Sequence, residues 1–269
     1  NAKHQREMMI QIIFETFNVP SFYVAYQGVL SLFASGRSTG IAVDIGNSIS
    51  QFVPVYEGIS IQYASLKNNL GGRDIDTYLN KLLRDYAFPR ADYIFGANQK
   101  EIVHDIKEKF CYVAVDYDAE IQKAETTSKC NESYTLPTDK IMSFDKERFT
   151  APELLFKPQL NDLGFEGIDQ NIVSCIKKCD ADIHKDLFNN IVLSGGSSMF
   201  GGIQERLEKE ISHRAPETMD VKVVATKERK YGAFFGGSIL ASLPTFPLMA
   251  VTRDEYNDAG PGIVHRKCL

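Results

Sequence analysis

GIAVDIGNSISQFVPVYEG, residues 40–58, decides the reading of this chain. β-Branched and apolar residues run up to Asp44, a Gly46-Asn47 pair follows, and the pattern resumes through Phe52, Val53 and Val55 to a second turn signal at Glu57-Gly58. Both dipeptides predict hairpin turns between antiparallel strands. Asp44 closes an apolar strand with a glycine just beyond it, so the backbone amides of Gly46, Asn47 and Ser48 are expected to face one anion, as when a hairpin grips a phosphate. Asp-x-Gly also occurs in ordinary hairpin turns, and this stretch alone leaves both readings open.

A second glycine turn lies in LSGGSSMFGGI, residues 193–203. Gly195 and Gly196 follow a predicted strand, NIVLSGG, and precede a helical pattern, FGGIQERLEKEI. Strand, glycine turn and helix form a phosphate-binding arrangement, and the bare glycines let a flat or charged ligand approach the backbone. Ser197 and Ser198 are placed to donate to such a ligand or to cap the next helix; a tight turn with a serine cap fits equally well.

Around these turns the pattern alternates between strand and helix. Met9, Ile12, Ile13 and Phe17 predict a core-facing helix over residues 6–17, ended by Pro20. SFYVAYQGVLSLFASG reads as strand, short helix and turn. DIDTYLNKLL and KEIVHDIKEKFCYVAV (residues 100–115) carry helical stripes, with a loop between them. In the second, Lys107 and Glu108 sit on an amphipathic helix whose ordinary reading is a solvated face. Residues 119–146 are polar and turn-rich, with β patches at SYTLP and IMSF, and read as the outer rim of a small lobe. GIDQNIVSCIKKC is helical, and an apolar helix near the end stops at Pro244.

Composition sets limits. A chain of 269 residues that is 43% hydrophobic belongs to the globular class. A formal charge of −5 leaves no basic surplus for nucleic acid, and no apolar run has the length of a membrane span. The five cysteines are spread out with no CxxC pair, so neither a disulfide framework nor a zinc site is signalled and a reducing compartment is the simplest reading. Cys175 and Cys179, one helical turn apart, are expected to be small buried residues.

The order of the landmarks is more specific than any one of them. YVAYQGVLSLFASGRSTGIAVDIGNS, LGGRDIDTYL, EIVHDIKEKFCYVA, DLFNNIVLSGGSSMF, ERKYGAFFGGSILASL and GPGIVHRKCL follow one another as they do in the actin family, and the chain resembles that family from Asn1 to Leu269, with one short insertion around residues 87–98. The resemblance implies an α/β, actin-like ATPase fold: two ribonuclease H-like lobes around a nucleotide cleft. It divides the chain into residues 1–34 and 232–269 in the first lobe, 35–70 and 164–231 as the core of the second, and 71–163 as the outer subdomain of the second. It also implies that the family's first phosphate hairpin and an outer subdomain precede Asn1, so that this segment alone holds ATP weakly.

The same resemblance implies ATP or ADP with Mg²⁺ or Ca²⁺ as ligands. Asp44, Gly46, Asn47 and Ser48 are expected at the phosphates. Gly72, Lys107 and Glu108 are expected at the nucleoside, with Gly195, Gly196, Ser197, Met199 and Phe200 along the adenine side and Lys230 closing the purine pocket. Gln27 is expected to orient the attacking water, and Asp44 to hold the cation through water. Other actin-like subunits and actin-binding proteins are the implied partners, the latter in a groove between Phe33, Ala34 and Gly36 on one wall and Ile239, Leu240, Leu243 and Thr245 on the other. The implied role is a cytoplasmic, cytoskeletal subunit that assembles into filaments and hydrolyses ATP slowly. Three departures point to an alternative, a non-polymerising structural subunit of a larger complex that keeps nucleotide as a fold stabiliser. Asn47 and Ser48 replace an Asp-Gly pair, Gln51 replaces a histidine near the attacking water, and QLNDL at residues 159–163 replaces an apolar plug between strands of the filament.

Overall fold

The computed structural model describes residues 3–84, 99–137 and 139–268; the insertion expected around residues 87–98 lies outside them. Strand β1 is Ser21–Phe22, β2 Gly40–Ile45, β3 Ser50–Tyr56, β4 Ile59–Ser60, β5 Leu66–Asn68, β6 Glu132–Thr135, β7 Ile141–Phe144, β8 Ile191–Ser194, β9 Val223–Val224 and β10 Val251–Thr252. The helices used below are α1 Lys3–Gln11, α2 Gln27–Ala34, α3 Gly72–Leu82, α4 Gln99–Phe110, α5 Tyr117–Thr126, α6 Glu147–Glu153, α7 Ile168–Lys178, α8 Ile203–Arg214 and α9 Gly232–Ser242.

The central sheet runs β4-β3-β2-β8-β9, with β5 also on β3; β2, β8 and β9 are parallel and β3 is antiparallel to β2. Both faces of β2 and β8 are covered, which is why these strands are apolar apart from Asp44 and Ser194 near their carboxyl ends. Side chains alternate across the pleat. Ile41, Val43, Ile45, Phe52 and Leu193 face the large core that contains Ile172 and Ile176 of α7. Ala42, Val55 and Val192 join the cluster of Val29 and Leu32 of α2. Gly28 permits the close approach of α2, since a Cβ there would stand 3.0 Å from that of Val53. Asp44 shares the Ala42 parity and so lies on the α2 face.

An outer unit packs α3 against α4 and α6 and ends in the β6–β7 hairpin. A separate cluster gathers Ile10, Phe14, Val251, Tyr256 and Val264. No helix among the described residues is long and apolar enough to cross a membrane. All five cysteines are free and buried, Cys175 and Cys179 among them.

Several local expectations are corrected. The N-terminal helix widens into a π turn over Ile12–Thr16, which changes the buried face: Ile10 and Phe14 are inside, whereas Ile12 is 47% and Phe17 66% exposed. Helix α4 stops at Phe110 rather than Val115, and Tyr112 forms a parallel bridge to Gly201. The polar stretch after it holds a helix, α5, capped by the Asp116 carboxylate, which accepts from the Ala119 amide at 3.1 Å.

Candidate functional site

Asp44 sits at the carboxyl end of β2, beside the start of α2. Gln27, the first residue of α2, donates its amide N–H to Asp44 Oδ2. Gln51 pairs with Asp44 across the β2–β3 ladder and shares its face. Burial raises the Asp44 carboxyl above the usual aspartate value, opposed by hydrogen bonds from Gln27 and Ser194. Ser194 is in turn 2.9 Å from the buried Ser31 hydroxyl. Asp44 Oδ1 is buried without a hydrogen-bond partner. An orphaned carboxylate oxygen is costly in a finished core and is what a cation's water shell would satisfy. Gly195, at φ +89°, lies against it: a side chain there would overlap Asp44 Oδ1 and stand 2.7 Å from Ile45 C.

Beyond Asp44 the β2–β3 turn is tied to two other segments. Gly46 O accepts from Gly72 N at 3.0 Å and from Ser197 Oγ at 2.9 Å, and Asn47 O accepts from Arg73 N at 2.7 Å. The first turn of α3 and the glycine turn after β8 are thereby fastened to one hairpin. The expected use of three turn amides is corrected to two. Gly46 N is consumed by Ile49 O at 2.9 Å, while the amides of Asn47 and Ser48 make no hydrogen bond among the described residues. The two serines also differ from expectation. Ser198 Oγ bonds Gly195 O at 2.7 Å inside its own turn, and α8 is capped by Gly202, so neither serine caps that helix.

A pocket of about 1000 Å³ opens beside these turns, between α4 and the segment carrying Lys230. Asn47, Lys107, Glu108, Gly196, Ser197, Met199, Phe200 and Lys230 all line it. Gly46, Ser48, Gly72 and Gly195 belong to the turns around it without lining it. Lys107 departs from the ordinary reading of its helix as a solvated face. It is 5% exposed, its ammonium donates to Gly72 O at 3.1 Å and to the Asp76 carboxylate at 2.9 Å, and it lies 3.3 Å from His104 Nδ1. A side chain on Gly72 would meet Ser197 Oγ at 2.5 Å and Lys107 Nζ at 3.2 Å. Glu108 stays exposed and reaches Lys230 Nζ at 3.9 Å, joining the two walls of the pocket.

His104, Tyr112, Arg148 and Tyr231 also line the pocket and were missed from the sequence. His104 precedes Lys107 and Glu108 by three and four positions, which puts it on the same helical face, a signal that was available. Tyr112 became visible only because α4 ends early, and the Arg148 guanidinium lies over its ring at 5.1 Å.

The groove residues fall on two segments that pack together, because Gly236 of α9 allows the helix to sit directly on Leu30 of α2. Ile239 and Leu243 are exposed, as is Thr245, whereas Leu240 is buried and Phe33 packs on the Gly58 turn. Across residues 159–163, Leu160 is part-exposed and the Gln159 amide donates to Phe165 O at 3.2 Å.

The arrangement can therefore offer two free turn amides and an unsatisfied carboxylate oxygen to an anion with its cation, beside a pocket with room for a larger attached group. A comparison with protein families matches residues 1–269 to the family described as Actin. A match over the whole sequence, on a fold that brings these turns together, shows that the chain belongs to the actin family.

Proposed function

We propose that the chain binds ATP or ADP with Mg²⁺ or Ca²⁺ at this site and works as an actin-like cytoskeletal subunit of the cytoplasm that assembles into filaments and hydrolyses ATP slowly. Actin-family proteins generally bind a nucleotide with a divalent cation, and the observation that carries the reading for this chain is the convergence of the 46–48 turn, Lys107 and the 195–197 turn on one large pocket. On this reading residues 1–34 and 232–269 belong to one lobe, 35–70 and 164–231 to the core of the other, and 71–163 to its outer subdomain.

Each group then has a task. The amides of Asn47 and Ser48 donate to phosphate oxygens. Asp44 Oδ1 accepts from a water of the cation's shell. The cation supplies charge neutralisation on the phosphates when bound. Gln27, whose N–H is committed to Asp44, keeps its carbonyl oxygen to orient a water. Gly196, Met199 and Phe200 leave one wall flat for a base, and Lys230 with Glu108 closes the opposite edge. Titration with Mg-ATP tests this. Lys230→Ala should weaken binding roughly three- to tenfold, the scale of one solvent-exposed hydrogen bond, and an unaltered affinity would refute the pocket assignment.

A second reading, a non-polymerising subunit of a larger complex, is favoured by residues 159–163. There Gln159 is engaged with its own loop and the segment offers only Leu160 as a large apolar contact. Sedimentation of the full-length protein in salt and Mg-ATP separates the two: pelleting above a threshold concentration supports filaments, and a protein that stays in the supernatant at every concentration leaves the second reading. The groove between α2 and α9 is proposed as the seat of actin-binding proteins on either reading.

A further inference from the structure

A trans peptide holds its C=O and the following N–H in one plane, pointing in opposite directions. Whatever holds the Gly46 carbonyl therefore also aims the Asn47 amide. That carbonyl has two donors, Gly72 N and Ser197 Oγ, and the next carbonyl, of Asn47, is held by Arg73 N. Two of the three ties are backbone amides, which no substitution short of proline removes. Ser197 supplies the third from the far side of the pocket, and its side chain is almost wholly buried.

We infer that Ser197 is a positioning residue: its hydroxyl, through the Gly46 carbonyl, fixes the direction in which the Asn47 amide meets an anion. The part of this that concerns phosphate rests on the nucleotide reading above; the orientation of the peptide does not. Ser197 thus couples the glycine turn to the hairpin, so that the two sides of the pocket are set together. The hydroxyl of its neighbour Ser198 bonds within its own turn, to Gly195 O, and provides a control.

The test compares the full-length wild type with Ser197→Ala, Ser197→Thr and Ser198→Ala in two measurements. The first, on nucleotide-free protein, is hydrogen exchange at the Gly72 amide, which shares the Gly46 carbonyl. The second is the affinity for Mg-ADP against that for adenosine. Ser197→Ala should speed Gly72 exchange and weaken ADP roughly three- to tenfold, the worth of one hydrogen bond, and should weaken adenosine by less than it weakens ADP. Ser197→Thr should restore both, and Ser198→Ala should alter neither the exchange nor the ADP-to-adenosine ratio. Unchanged Gly72 exchange in Ser197→Ala, or equal losses for ADP and adenosine, would overturn the inference. A wild type that binds neither ligand would count against the nucleotide reading alone, because the exchange measurement still decides whether Ser197 holds the peptide.

Discussion

Exchanging Gly195 and Gly196 for alanine, one at a time, separates what the fold needs from what a ligand needs. Gly195 holds φ +89°, and an added Cβ would overlap Asp44 Oδ1 and Ile45 O, one of them strand backbone that cannot give way. A left-handed backbone costs an L-residue about 1–2 kcal/mol, and overpacking against a fixed neighbour adds about 1–3 kcal/mol. Gly195→Ala should therefore lose about 3 kcal/mol of stability without any ligand present. Gly196 lines the pocket and has no neighbouring atom within 4 Å of the same hypothetical Cβ. Gly196→Ala should stay within about 0.5 kcal/mol of wild type yet raise the Kd for Mg-ATP at least roughly tenfold, equivalent to about 1.4 kcal/mol. Urea unfolding of the nucleotide-free proteins, paired with an ATP titration, measures both. Equal stability losses, or a tolerated Gly195→Ala, would refute the assignment of the two glycines to different tasks.

Three further outcomes are expected. Arg206→Met removes the guanidinium that pairs with the fully buried Glu153 at 3.0 and 3.1 Å, and should cost about 3–5 kcal/mol in urea unfolding, with much of it recovered in Arg206→Met/Glu153→Gln. Burial raises the Asp44 carboxyl in the fold, so the folded state holds that proton more tightly than the unfolded chain; its stability contribution is full below the unfolded value and is lost as pH rises through the folded one. Asp44→Asn should flatten that slope and raise the neutral-pH melting point of nucleotide-free protein while abolishing stabilisation by Mg-ATP; a lower melting point contradicts it. Burial pushes the Cys111 and Cys175 thiols up to about 12, so native protein at neutral pH should react with thiol reagents at these positions only as fast as it opens, measured by mass spectrometry of labelled peptides.

The parts of the fold legible in the sequence were those with local causes. The 57–58 turn was readable because a Glu-Gly pair suits a tight hairpin turn, and Glu57 and Gly58 both take positive φ there. Helix α5 was harder to read, because its apolar stripe is short, Tyr117, Ile121 and Ala124, and these residues are only partly buried against the Phe149 cluster. The burial of Lys107 was not readable from its own helix, because its partners, Gly72 O and Asp76, come from another helix and no spacing within α4 reveals them. The Gly46 amide was assigned to an anion for a similar reason: a turn's composition tells which amides exist, while the ladder decides which are already bonded. The order of the motifs identified the family and the helical spacing to Lys107 could have added His104, but Tyr112 and Arg148 entered the pocket through tertiary packing.

The central claim is that the pocket holds a purine nucleotide with a divalent cation, and native mass spectrometry of the protein purified from its source tests it most directly. The account predicts a protein mass increased by ADP or ATP together with Mg²⁺ or Ca²⁺, lost on chelation and restored by Mg-ATP. A bare protein mass that stays bare in excess Mg-ATP would contradict it.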